Sequence, residues 1–211
     1  LHKITVVING AGSAGMAIAK MLRILKVGDI IMVDRVGIVD PKQPKVFNKY
    51  QIELAKVTNK KHVKGTLADA LKGADVFVGV SAPRILNPEW IKLMNKKACI
   101  FAMANPEPEI MPDLAKKAGA FIVGTGRSDF PNQINNVLAF PGIFRGALDA
   151  RAKDITNAMK MAACYAIADA VPANKLSKDN IMPLALDKSV AKKVAKAVFN
   201  AWKKYGIKGN K

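Results

Sequence analysis

Gly10-Ala11-Gly12-Ser13-Ala14-Gly15 stands between an apolar run, Ile4-Thr5-Val6-Val7-Ile8-Asn9, and a segment with apolar residues at helical spacing. Glycines in that pattern let a chain turn sharply from strand to helix while its backbone meets an anion. Gly10 permits the tight turn, Gly12 has no Cβ to hold a pyrophosphate away, and Gly15 lets the helix lie close to the sheet. Ser13 and Ala14 open the helix, where free N–H groups and the positive dipole end face phosphates. A second apolar run, Ile30-Ile31-Met32-Val33, ends in Asp34, whose carboxylate can accept hydrogen bonds from the adenosine ribose hydroxyls. Strand, glycine turn, helix and acid-tipped strand agree with one another, so residues 4–34 read as a dinucleotide-binding βαβ unit. Asp34 favours NAD because a carboxylate repels a 2′-phosphate, whereas Arg35 could receive that phosphate. NAD is expected, with NADP possible.

Three further segments hold polar side chains at the expected carboxyl ends of strands, where doubly wound sheets bind ligands. The first, Gly79-Val80-Ser81-Ala82-Pro83, offers Ser81 as a cofactor contact. The second, Ala104-Asn105-Pro106-Glu107-Pro108-Glu109, offers Asn105. An Asn-Pro amide can simply bond the local backbone, but its place at a strand end favours a ligand. The third runs from Gly124 to Asn136 and on into Phe140-Pro141-Gly142. There, Asn135 and Asn136 read equally as a turn or helix cap and as amides for a carboxylate, a hydroxyl or the nicotinamide carboxamide. Arg127 and Asp129 read as a loop-fixing ion pair or as substrate contacts. Glu107 and Glu109 should diverge across Pro108, which disfavours a paired-carboxylate acid/base machine. Cys99, Cys164, His2 and His62 lack metal or redox spacing, so no metal site is expected from this chain's own His and Cys, and both thiols are expected free and buried in a reducing, cytoplasmic setting.

Positioning those loops calls for alternating strands and helices, hence an α/β, doubly wound, mostly parallel sheet of Rossmann type with helices at its C-terminal end. After the first unit, 37–48 reads as an irregular loop with Pro41 and Pro44, and 48–59 as helical. Thr66 and Asp69 suggest a capping box for a helix at 67–73. Strands are expected at 76–80, 99–103 and 121–123, with helices at 88–94, 112–118, 151–171 and 188–205. We read 1–211 as one domain with 151–211 as a helical extension.

A chain of 211 residues that is 50% hydrophobic and 24% charged can bury a substantial core. Its longest apolar runs are strand-length, so no membrane span is expected. The formal charge of +18 could serve a nucleic acid. The lysines are dispersed, however, and Lys192, Lys193 and Lys196 fall largely off the apolar stripe of Val190, Val194, Ala197, Val198 and Ala201, as on a solvated helix face. A nucleic-acid partner is therefore disfavoured.

Longer composite motifs carry a resemblance. Ile8-Asn9-Gly10-Ala11-Gly12, Gly65-Thr66-Leu67, Gly73 through Pro83, Ala102-Met103-Ala104-Asn105-Pro106, and Gly126-Arg127-Ser128-Asp129-Phe130-Pro131-Asn132-Gln133 through Ala147 resemble the NAD(P)-binding domain of short prokaryotic malic enzymes. The resemblance implies oxidation of L-malate at C2 by hydride transfer, then decarboxylation to pyruvate, with Mg²⁺ or Mn²⁺ as Lewis acid. It implies that Gly12, Ser13, Ala14 and Gly15 cradle the pyrophosphate and Asp34 meets the ribose. Asn105 and Asn135, or its neighbour Asn136, would lie at the nicotinamide and malate end. In the family, the catalytic tyrosine, lysine and acidic metal ligands precede the glycine motif. Leu1 stands a few residues before it, without an initiator methionine. The chain is accordingly expected to be a piece that binds a dinucleotide, lacks a catalytic and metal-binding N-terminal domain, holds no catalytic residue of its own and is silent alone; the complete enzyme is expected to be a homodimer, and the alternative is a stand-alone dinucleotide-binding regulatory module.

Overall fold

The computed structural model describes residues 1–206, which divide into two compact units, one of residues 1–130 and one that begins at Pro131. The first unit opens with β1 (Thr5–Asn9), α1 (Ser13–Ile24) and β2 (Asp29–Asp34), the unit read from the glycine pattern. It continues through β3 (Gly37–Ile38), α2 (Lys49–Ala55), α3 (Leu67–Leu71), β4 (Val76–Gly79), α4 (Pro88–Ile91), β5 (Cys99–Ala102), α5 (Pro112–Lys117) and β6 (Ile122–Thr125). The sheet order is β3-β2-β1-β4-β5-β6, parallel throughout except for β3, which pairs antiparallel with β2 at the edge.

Every parallel strand is an apolar run because both of its faces are covered. On one face, Val7, Ile31, Phe77, Ile100 and Val123 pack with Leu71 of α3, Ile91 of α4 and Ala115 of α5. On the other, Val6, Ile8, Met32 and Val78 pack with Ala19 of α1 and Leu54 of α2. The chain reverses direction across the sheet between β1 and β4. Their carboxyl ends therefore flank the crevice where open α/β sheets bind ligands.

Local signals set several boundaries. Asp69 accepts hydrogen bonds from the Thr66 N–H and hydroxyl, both at 2.9 Å, so the expected box opens α3. The α2 helix ends at Ala55, four residues short of expectation, and the two residues of β3 lie inside the stretch read as irregular.

The second unit is helical: α6 (Phe140–Asp149), α7 (Asn157–Ala168) and α8 (Lys188–Ala201), the last continued by a π-turn at Trp202–Gly206. It thus begins well ahead of residue 151, where the extension was expected. The α6 helix lies outside the helices expected from the sequence. Pro141 sits in the first helical turn, where its missing N–H costs nothing, and Gly142 is a contact residue. A Cβ at Gly142 would lie 2.6 Å from the Val194 Cβ on α8, and one at Gly146 would lie 2.8 Å from that of Val198. The small side of α6 therefore meets α8. Its large side, Phe140, Phe144 and Leu148, is 60%, 45% and 74% exposed, with the two rings edge to face at 4.7 Å.

Both cysteines are free, but neither is fully buried. Cys164 is exposed, one position past buried Ala163 and on the outer side of α7. No helix among the described residues is long and apolar enough to cross a membrane.

Candidate functional site

Three elements converge on the carboxyl end of β1. Gly10 leaves the strand with φ +112°, a conformation strained for any residue with a side chain, and a Cβ there would sit 2.5 Å from the Val80 carbonyl oxygen. A Cβ at Gly15 would overlap the carbonyl oxygen of Gly10 itself. Gly12 is different: a Cβ there would have nothing within 4 Å. It caps α1 without a side chain, so no capping hydrogen bond fills the first turn formed by Ser13, Ala14 and Gly15. Ser13 and Ala14 are exposed. An uncapped helix start fronted by open space presents N–H donors and a positive dipole end to an anion.

The pairing of β2 with β1 brings Asp34 beside this turn, and a residue that the sequence reading did not single out orients it. The Gln51 amide, 7% exposed, donates to the Ala11 carbonyl at 3.0 Å and to Asp34 Oδ2 at 2.6 Å. Its Oε1 accepts from the Asn48 N–H, closing the capping box of α2. The other carboxylate oxygen of Asp34 accepts from the Arg35 N–H at 2.7 Å. Asp34 is thus held in one orientation, while its remaining lone pairs can meet hydroxyls. The Arg35 guanidinium is exposed and forms no ion pair among the described residues. The spacing Asn48-x-x-Gln51 before an apolar residue was the available signal for Gln51.

The loops after β4 and β5 complete this part of the first unit. Ser81 Oγ accepts from Asn9 Nδ2 at 2.6 Å, which ties the β4 loop to the end of β1 across the crevice. Asn105 is exposed, follows Ala104 and precedes Pro106 through a cis peptide bond. Its amide makes no hydrogen bond among the described residues, so the local backbone-bonding role open to an Asn-Pro pair is not taken up. Glu107 and Glu109 diverge: Glu107 pairs with Arg84 at 2.8 Å, and Glu109 is completely buried. Arg127 and Asp129 form a two-bonded pair at 2.9 and 2.7 Å, and the guanidinium holds the Asp129 carboxyl below its ordinary range.

In the second unit, Asn135 takes the capping role: its Oδ1 accepts from the Val137 N–H at 3.0 Å at the start of a 3₁₀ turn, Asn136–Leu138. The cap uses its oxygen and leaves the amide protons for another partner. Asn136 is exposed. Buried Asn132, also missed, fixes the 178–181 segment through the Lys178 carbonyl and the Ile181 N–H, both at 2.9 Å. Among the described residues no three His, Cys, Asp or Glu side chains are grouped to hold a metal ion.

Residues 1–202 match the family model described as malic enzyme, NAD binding domain. The chain belongs to the malic enzyme family. It is 52% identical over 207 residues to the bifunctional malic/malolactic enzyme of Bacillus subtilis, covering 98% of this chain and 50% of that protein. It is 47% identical to the NAD-dependent malic enzyme of Geobacillus stearothermophilus, covering 98% of this chain and 43% of that one. The crystal structure of the NAD-dependent malic enzyme of Thermotoga maritima superposes with a TM-score of 0.89 at 48% identity, over 94% of this chain and 52% of that one. The malic enzyme of Pyrococcus horikoshii gives 0.90 at 44%, over 97% and 49%. This NAD-binding domain therefore spans about half the length of these relatives. The expected resemblance and fold class hold over the whole matched length.

Proposed function

We propose that this chain is the cofactor-holding half of a malic enzyme that converts L-malate to pyruvate and CO₂ with reduction of NAD, NADP being the alternative. The observation that carries the reading is the uncapped, open first turn of α1, walled by Gly10 and Gly15 and flanked by an oriented Asp34. In this reading the N–H groups of Ser13, Ala14 and Gly15 hold the pyrophosphate, and Asp34 accepts from the ribose hydroxyls. The Gln51 donor keeps the Asp34 carboxylate aimed, which supports NAD over a cofactor carrying a 2′-phosphate. Exposed Arg35 is the residue that could offset that repulsion. Ser81 and the unengaged Asn105 amide serve the nicotinamide end. The amides of Asn135 and Asn136 are proposed substrate contacts on the family resemblance alone. When bound, the dinucleotide supplies the hydride acceptor for C2 of malate.

The divalent ion that the family resemblance implies does not fit the side chains described here, since none are grouped as ligands. No step is therefore derived through it. Metal ligands and the proton-transferring pair are proposed to come from the part of the relatives that this chain does not span, as is the dimer. The 211-residue chain alone is expected to bind cofactor without turning over malate.

Calorimetry of the 211-residue chain with NAD and NADP, each with and without malate and Mn²⁺, tests the reading. NAD should bind more tightly than NADP. Failure of both to bind at about millimolar concentration would remove the central claim, and malate turnover by the chain alone would remove the claim of silence.

A further inference from the structure

Glu109 is a carboxylate with no access to solvent, and two N–H groups from two different loops face it. Its Oε1 accepts from the Ser81 N–H and its Oε2 from the Ala104 N–H, each at 3.0 Å. Ser81 is in the loop after β4, and Ala104 is the residue before Asn105 in the loop after β5. The space is reserved for it: a Cβ on Gly79, the last residue of β4, would lie 2.5 and 2.7 Å from the two carboxylate oxygens. The backbone already laces the same two segments together. The Leu86 N–H donates to the Glu109 carbonyl at 3.0 Å and the Arg84 N–H to the Pro108 carbonyl at 3.1 Å, with the Arg84–Glu107 pair outside them. A buried carboxylate is costly where packing alone is required, because an apolar side chain of similar volume fills the space without desolvating a charge. What the carboxylate adds is a pair of charge-assisted bonds to Ser81 and Ala104, just beyond the last backbone bond between the two strands, from the Met103 N–H to the Gly79 carbonyl at 3.0 Å.

We infer that Glu109 is a positioning residue for the nicotinamide end of the site, setting the separation of the Ser81 and Asn105 loops and acting less on the adenosine end at Asp34. The inference rests on the placement of nicotinamide at these loops given under the proposed function. It predicts a split that a purely structural staple would not show. ADP-ribose contains the adenosine, pyrophosphate and second ribose but no nicotinamide, so it reports on the adenosine end. NAD reports on both.

The test measures the affinity of the 211-residue chain for NAD and for ADP-ribose by calorimetry, in wild type and in Glu109→Gln. The amide places an NH₂ group against one of the two N–H donors, so one of the two charge-assisted bonds is lost and the other is weakened. NAD affinity should fall about tenfold, with ADP-ribose affinity unchanged within about twofold. Glu109→Asp, which keeps the charge but is one methylene too short to reach both loops, should show the same split to a smaller degree and serves if the amide variant does not fold. Equal losses for both ligands, or no loss for either, would overturn the positioning role alone. Equal affinity of the wild type for NAD and ADP-ribose would overturn the placement of nicotinamide, and this inference with it.

Discussion

Two helices in this chain use glycine for close approach, and they approach different things. On α1, Gly15 clears the backbone of its own turn and Gly12 opens onto empty space. On α6, Gly142 and Gly146 clear Val194 and Val198 of α8. Spacing alone does not separate these cases, since both place glycines three or four residues apart on a helix. The surroundings do. A glycine whose absent Cβ would meet protein serves packing, whereas one whose absent Cβ would meet nothing, at an uncapped helix start, leaves room for something else.

Substitutions can break or sharpen that contrast. The largest effect is expected at Gly146→Val, which drives a branched side chain into α8; it should destabilise the chain by about 3 kcal/mol, read as a fall in urea midpoint followed by the fluorescence of buried Trp202. Gly15→Ala is intermediate and mixed. Its methyl overlaps the Gly10 carbonyl, so about 2 kcal/mol of stability should go, together with roughly tenfold or more in NAD affinity as the turn is displaced. Gly12→Ala should have the smallest effect on the fold. Its φ of −79° and ψ of −167° suit any residue, and the lost preference for glycine at a helix cap is offset by a stiffer unfolded chain, leaving less than about 0.5 kcal/mol. NAD affinity should nevertheless drop by about tenfold, because the new methyl occupies the approach to the first turn. If Gly12→Ala binds NAD like wild type, the contrast between the two helices fails.

The same contrast explains what the sequence could and could not disclose. The glycine turn and Asp34 are legible because every part lies within one βαβ unit at characteristic spacing. Gln51 was half legible: the Asn48-x-x-Gln51 spacing announces a cap, but nothing local announces that the amide reaches back to Asp34 and Ala11. Glu109 was legible only as a carboxylate diverging from Glu107, because its partners at Ser81 and Ala104 are brought to it by the pairing of β4 with β5. The one advance hint was Gly79, a glycine at the end of an otherwise apolar strand. The α6 helix was hidden by residue types whose usual meaning inverts with position: proline is tolerated in a first turn, and glycine in a helix is tolerated where another helix presses on it. Asn135 shows the reverse, since the bland capping role is the one its oxygen takes.

The outward face of α6 has a colloidal consequence. Phe140, Phe144 and Leu148 form an adhesive strip on a particle that carries a formal charge of +18. In dilute buffer, mutual repulsion among such particles opposes contact between strips. Added salt shortens the Debye length from about 30 Å at 0.01 M to about 8 Å at physiological strength, while warming and sulfate strengthen the attraction between apolar surfaces. Repulsion is thus weakened as attraction grows, so a rise in ionic strength favours contact between strips.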